Sequence, residues 1–190
     1  ANRVLSFAHK NWDGIVPDPG ELREVDKNIL AVIEEGFETV GSLVESVKLR
    51  AALSEAMRLA QQVNIYLDQT APWFEIKSDK EQASKTIYTA MRCIDSLKVI
   101  FAPFLPFTSE KLHQYLGYSD PLFGEQVVEA HQDNLGEHSA LRYVPDGASG
   151  RWKPSQLEPG KVFKKPEPLF RKLDKSIVEE ERARLGTPRD

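Results

Sequence analysis

Cysteine is nearly absent: Cys93 is the only one in 190 residues, so no internal disulfide can form. A reducing, cytoplasmic setting is the simplest expectation. No stretch approaches the roughly 20 apolar residues that a membrane-spanning helix needs, so no membrane partner is expected. A secretory leader is missing too, because Ala1-Asn2-Arg3-Val4 has no basic segment followed by a long apolar run. The opening residues read as an interior cut through an apolar segment, with more chain expected upstream. A basic excess is also lacking, with 29 acidic residues against 25 lysines and arginines and a net charge of −4. That balance counts against a protein that grips nucleic acid through phosphates over its whole surface, so any RNA contact must be local.

The signatures of self-contained catalysis are missing as well. There is no Walker-type phosphate loop, no Gly-x-Gly-x-x-Gly, no His-Glu-x-x-His and no paired-Cys zinc spacing. His9, His113, His131 and His138 are scattered, and Glu34-Glu35 and Glu179-Glu180-Glu181 read as solvated helix faces. No catalytic residue, metal ligand or cofactor is therefore assigned to this chain.

What is present is ordinary globular composition, 41% apolar and 28% charged, patterned for helices. Val4, Leu5 and Phe7 cluster on the tail of a first helix over residues 1–10. Apolar positions recur at spacings of three and four from Leu22 through Ile29, Ile33, Phe37, Val40 and Val44, and again from Leu49 through Ala56, Leu59, Val63 and Leu67. Pro72 ends that second run near Gln69. A further helix is predicted from about Asp79 to Phe101, broken by Pro103 and Pro106, and a short one after Thr108 that stops at Gly117. From Tyr118 to about Pro166 neither the helical nor the strand period persists, which predicts an irregular wrapping segment. A last helix is expected from Leu169 to about Leu185. The fold class is all-α: a helix bundle over 1–117, the irregular segment over 118–166, and a C-terminal helix within 167–190 that packs on the bundle or on a domain outside this chain. Nothing argues for an oligomer.

Two residues stand out for recognition. Trp73 follows Ala71-Pro72 at the end of a long helix, where the proline turns the chain and presents the next side chain at the bundle's end. It reads either as a cap on the core or as a stacking platform for an unpaired base. Arg3, on the short first helix, reads either as an ordinary surface arginine or as a group that clamps a base edge or a phosphate. The most basic stretch, 151–175, reads as a contact to RNA or to another domain, or as plain solvated surface.

Several pieces together resemble a known family. Asn2-Arg3-Val4-Leu5-Ser6-Phe7, then Trp12-Asp13-Gly14, Asn64-Ile65-Tyr66-Leu67-Asp68, Ala71-Pro72-Trp73, and the run from Ala102 through Pro103, Pro106, Thr108 and Glu110, resemble the C-terminal anticodon-binding domain of methionyl-tRNA synthetases. The likeness covers about residues 1–117 and resumes at Pro168-Leu169-Phe170. It implies the anticodon-binding bundle of class Ia synthetases and recognition of the CAU anticodon of tRNA(Met). It also implies a parent enzyme that joins methionine to that tRNA using ATP and Mg²⁺, with a zinc-binding insertion in some members. Carried over by motif, Trp73 would stack on the first anticodon base and Arg3 would help recognise it, with Asn64 and Pro72 in support and a structural role preferred for Asn64. The family's Asn one turn before this Arg falls ahead of Ala1, so Asn2 is not given its role. The two catalytic signatures of the family are absent, which places ATP, Mg²⁺, methionine and any zinc in a catalytic domain outside this chain. Two other readings stay open at this point: the equivalent domain of another class Ia synthetase, and a helical protein-interaction module with Trp73 as its anchor.

Overall fold

The computed structural model describes residues 1–134, 136–170 and 172–185. Three long helices make the bundle: α2 (Glu24–Glu45), α3 (Leu49–Thr70) and α5 (Lys80–Ile100). A shorter helix, α1 (Asn2–Asn11), lies against α5, and α4 (Pro72–Glu75) is a single turn between α3 and α5. α6 (Pro106–Tyr115) follows α5. No described helix is long and apolar enough to cross a membrane.

The apolar stripes expected from sequence form the core. Ile33, Phe37 and Val40 of α2, Ala56, Leu59 and Val63 of α3, and Ile87, Met91 and Leu97 of α5 are all buried in one cluster with Val4, Leu5 and Ala8 of α1. Gly36 is what lets α2 approach α3, since a Cβ there would meet Leu59 Cδ1 at 2.4 Å. α5 is enclosed on nearly all sides from Ala83 to Ile100 and carries Cys93 inside, its thiol pushed up to about 12 chiefly by burial.

The turn between α2 and α3 is strained. Val47 holds φ +57° with 78% of its surface exposed. A left-handed conformation costs an L-residue about 1–2 kcal/mol, and β-branching adds to the crowding. Glycine escapes that cost but gives up roughly 0.5–1 kcal/mol of chain entropy. Val47→Gly is therefore expected to stabilise the fold by about 1 kcal/mol, read as a higher urea midpoint at unchanged slope. An unchanged or lower midpoint would show that the valine side chain is held by contacts that offset the strain.

Segment 118–166 departs from the irregular reading in one respect. It contains an antiparallel hairpin, β1 (Glu125–Asp133) with β2 (Gly136–Val144), paired from Glu125 opposite Val144 to Asp133 opposite Gly136. Period-two alternation was invisible because neither face is fully buried: Val127 and Ala140 are half-covered on one side, while Val128, Leu141 and Tyr143 on the other stand open to solvent. The readable signal was the turn, where Asn134 precedes Gly136 at φ +104°. After the hairpin the chain crosses the bundle. The Trp152 indole N–H donates to the Phe37 carbonyl at 3.0 Å, the Tyr88 hydroxyl donates to the Leu157 carbonyl at 3.2 Å, and Leu157 and Phe163 are buried.

A buried polar cluster fastens this crossing. Asp95 accepts from Lys98 Nζ at 2.6 Å, from the Tyr118 hydroxyl at 3.0 Å and from Ser155 Oγ. Lys98 also meets His113 Nδ1 at 2.9 Å, which requires the imidazole neutral and protonated on Nε2, from where it donates to the Asp120 carbonyl at 3.0 Å. Burial and the Lys98 charge both push the His113 pKa below the ordinary histidine value.

The C-terminal helix is shorter than expected. α7 spans Ile177–Arg184 and buries none of its residues, while Leu169 and Phe170 lie in a bend before it. After Ser176 the charges run round the whole helix, so no apolar stripe exists to seat it on the bundle. Leu169 alone of this stretch packs against the core.

Candidate nucleic-acid interface

α1 divides cleanly. Val4, Leu5 and Ala8 face the core, and Asn2, Arg3, Ser6 and Lys10 face solvent, the i, i+3, i+7 rhythm of one helical side. The helix carries no acidic residue, which leaves its exposed face locally positive in a chain of net negative charge.

At the far end of α3, Ala71 turns left-handed at φ +41°, its N–H capping Leu67 at 2.9 Å. Pro72 is buried as the first residue of α4, where its fixed φ and missing N–H suit a helix start. The next side chain is Trp73. Its ring meets Phe7 of α1 edge-on at 5.4 Å, and the Arg3 guanidinium lies over its face at 3.7 Å from the ring centroid. Helix and corner thus bring together the two residues singled out in sequence. One edge of the tryptophan closes the core margin against Phe7, and its half-exposed face carries the planar Arg3 cation. Phe74 beside it is 71% exposed.

Asn64 stands elsewhere. It is exposed on the rim of an apolar groove with Ala1, Val4, Leu67 and Phe101, and its side chain makes no hydrogen bond among the described residues. The preferred structural role for it therefore has no partner here.

The group that holds the corner was not anticipated. Arg23 pairs with Asp26 through two parallel bonds, Nε to Oδ2 at 2.9 Å and Nη2 to Oδ1 at 2.8 Å. It reaches on to Thr86 Oγ1 at 2.7 Å, Gln82 Oε1 at 3.2 Å and Glu75 Oε1 at 3.5 Å. Tyr66 donates its hydroxyl to Asp26 at 2.6 Å, and Thr86 donates to the other oxygen of Glu75 at 3.4 Å. The clamp ties α2, α3 and α5 to Glu75, the last residue of the turn that carries Trp73. Burial raises the Asp26 pKa, but the hydrogen bonds from Arg23 and Tyr66 outweigh it and hold the carboxyl below its ordinary value. Burial and the same carboxylate push the Tyr66 hydroxyl well up. Tyr66 was visible in sequence only as part of the Asn-x-Tyr piece. The Arg23–Asp26 spacing at the start of a helix was the one local signal for the rest.

A rigid corner presenting one indole, with a guanidinium stacked on it, is the furniture of single-strand RNA readers, in which unstacked bases lie on aromatic or arginine planes. The overall fold, apart from any site residue, is shared with the solved structures of Mycobacterium tuberculosis methionyl-tRNA synthetase. With methionyl-adenylate bound, that protein superposes with a TM-score of 0.68 at 23% identity, over 89% of this chain and 29% of that one, a likeness of fold. The family model described as the anticodon binding domain of methionyl tRNA ligase matches residues 16–190, and the chain belongs to that family. Among curated relatives, the methionine–tRNA ligase of Thermomicrobium roseum is 48% identical over 186 residues, covering 97% of this chain and 32% of its own length. That of Chloroflexus aggregans is 50% identical over 188 residues, covering 97% and 31%. The chain therefore spans about a third of the length of these relatives.

Proposed function

We propose that this chain reads the CAU anticodon of tRNA(Met) for a cytoplasmic methionine–tRNA ligase of which it forms the helical third, and that it performs no chemistry itself. The observation that carries the reading is the Arg3–Trp73 stack on the clamped corner. The first anticodon base leaves the loop and stacks on the Trp73 indole. Arg3 slides from that ring and turns its donors to the acceptors on the base edge. A cytosine satisfies them. A wrong base leaves a desolvated donor or acceptor unpaired, at about 1–3 kcal/mol. Pro72 fixes where the indole stands, and Asn64, exposed and with no hydrogen bond from its side chain among the described residues, keeps a supporting place. ATP, Mg²⁺, methionine and any zinc belong to the remaining two thirds of the parent.

The test is a fluorescence titration of the chain with two anticodon stem-loops that differ only in the first anticodon base. Tighter binding of the CAU loop by about tenfold or more is expected. Equal binding of the two loops by a folded chain would remove the anticodon reading.

A further inference from the structure

Near its C-terminal end α6 carries a histidine that holds more than its own helix. His113 is 3% exposed and sits at the root of the hairpin. Its Nε2–H donates both to the Asp120 carbonyl, ahead of β1, and to Ser149 Oγ, beyond β2, each at 3.0 Å. The Ser149 hydroxyl passes its own proton to the Pro121 carbonyl at 3.0 Å, so each hydrogen at this junction has one direction. The Ser149 and Gly150 N–H groups close the root by donating to the Pro121 and Leu122 carbonyls at 2.8 and 3.1 Å. Nδ1 of the same ring accepts from the Lys98 ammonium of α5 at 2.9 Å. One imidazole therefore joins α5, α6 and both feet of the hairpin.

That junction exists in one protonation state only. An imidazolium carries a hydrogen on both nitrogens and has no lone pair to accept with. A second proton on His113 would replace the Lys98 hydrogen bond with two cations 2.9 Å apart and shielded from bulk water. The surrounding charges do not offset this. On α5, Asp95 already accepts from Lys98, Tyr118 and Ser155. On α6, Glu110 accepts from the Leu122 N–H at 2.9 Å. Both carboxylates favour the imidazolium, but burial and the Lys98 charge outweigh them. From the crossing segment Tyr118 stacks on the ring at 4.3 Å, with the Lys161 ammonium 3.1 Å from the Tyr118 centroid. Asp120 meets the ring through its carbonyl, and Arg151 and Lys153 border the same cavity of about 190 Å³, adding further positive charge. The hairpin is the part that can yield, because neither of its faces is fully buried and few bonds hold its root.

We infer that His113 is a proton-operated pin at the root of the hairpin. Neutral, it fastens residues 118–157 to α5 and α6. On taking a second proton it leaves Lys98, and the root and the crossing open while the bundle stays folded. The open form takes that proton at the ordinary histidine value of about 6.5, and the closed form takes it only below that value. The closed form is therefore complete above about pH 6.5 and is lost as pH falls, by up to about tenfold in the closed-to-open ratio per pH unit. The Trp73 corner is remote from this opening: its anchor Thr86 lies nine residues and about 14 Å of helix from Asp95. The pin acts on the fold and is independent of the anticodon reading.

The experiment is amide hydrogen exchange of the whole chain at about pH 7.5 and about pH 5.5, with each rate corrected for the intrinsic pH dependence of exchange. In the unaltered chain the protection of the Ser149, Gly150 and Ser155 amides is expected to fall by up to about tenfold at the lower pH, while the amides of α2 and α3 keep theirs. In His113→Gln, whose side-chain amide does not titrate, protection of the same amides should be equal at the two pH values. Lys98→Met serves as the second variant, and carries the test alone if the glutamine variant does not fold. It keeps the histidine, removes the cation that opposes the second proton, and should reduce the fall to about threefold or less. No fall in the unaltered chain overturns the pin. So does a full fall in either variant, or an equal fall across α2 and α3, which would mark a general loosening in acid.

Discussion

Replacing Trp73 by alanine is expected to weaken binding of the CAU stem-loop by about 5- to 150-fold, the equivalent of one base-on-ring stack at about 1–3 kcal/mol. It should also abolish the preference over the loop with a different first base. Both effects come from one contact. In the proposed reading the indole provides the plane on which the base lies, and before RNA binds it holds the Arg3 guanidinium over that plane, 3.7 Å from its centroid, from where it turns to the base edge. Without the ring the arginine loses its stacking partner and becomes one more mobile surface cation. Trp73→Phe should retain a smaller share of both affinity and preference, because a ring remains over Phe7. Isothermal titration with both loops separates the outcomes. Loss of affinity with the preference intact would assign base selection to a residue other than Arg3. Unchanged affinity would make Trp73 only a cap on the core.

The second large effect is on stability. Asp26→Ala should destabilise the fold by about 3 kcal/mol, because the Arg23 guanidinium loses its two-bond carboxylate partner and keeps only Thr86, Gln82 and Glu75, while the Tyr66 hydroxyl loses Asp26 as its acceptor. Tyr66→Phe should cost about 1 kcal/mol, since the Asp26–Arg23 pair survives it. Urea unfolding at pH 7 measures both. The pH dependence has a defined sign. Asp26 is held below its ordinary pKa in the fold, so its contribution is fully present above the ordinary carboxylate range and is lost as pH falls through the depressed folded value. Unaltered protein should therefore lose stability at acid pH more steeply than Asp26→Ala. Equal acid sensitivity of the two would show that other carboxylates dominate the acid transition.

The bundle was legible because its helices obey one rule. Ile29, Ile33, Phe37 and Val40, and then Ala56, Leu59 and Val63, repeat at helical spacing and are buried. The Pro-Trp corner was legible because proline can only start the next turn. What escaped has no periodic trace. The hairpin turns neither face fully inward, so its strands never alternate cleanly. The clamp joins Arg23, Asp26, Tyr66, Glu75 and Thr86 from four separate helical segments, and only the first two are neighbours in sequence. Lys98, buried at 4% exposure, would be placed at the surface by any reading of residue type alone. Trp152 gave no hint that it would reach Phe37, 115 positions away. Arg3 and Trp73 stood out by position and took their expected roles from the family likeness, and their contact, made between the first helix and the end of the third, could be seen only in three dimensions.

One seam through the molecule has a consequence in time. Directly after α1, Val16 N–H donates to the Lys161 carbonyl at 2.8 Å and Phe163 N–H donates to the Gly14 carbonyl at 2.8 Å, while the Phe163 ring stands edge-on to His9 at 5.7 Å. Gly14, at φ +74°, and Gly117, where a Cβ would lie 2.0 Å from the Val162 carbonyl, leave room for this strand to press in. The helix that carries Arg3 is made about 150 residues before the strand that locks its end. At roughly 5–20 residues per second, α1 waits about 7 to 30 s for its partner strand. Contacts so distant along the chain also form late in folding, because the intervening loop must be closed first. The surface that carries Arg3 and Trp73 is thus completed late in the folding of the domain, and a chain interrupted before residue 161 has its bundle sequence entire but its first helix unlatched.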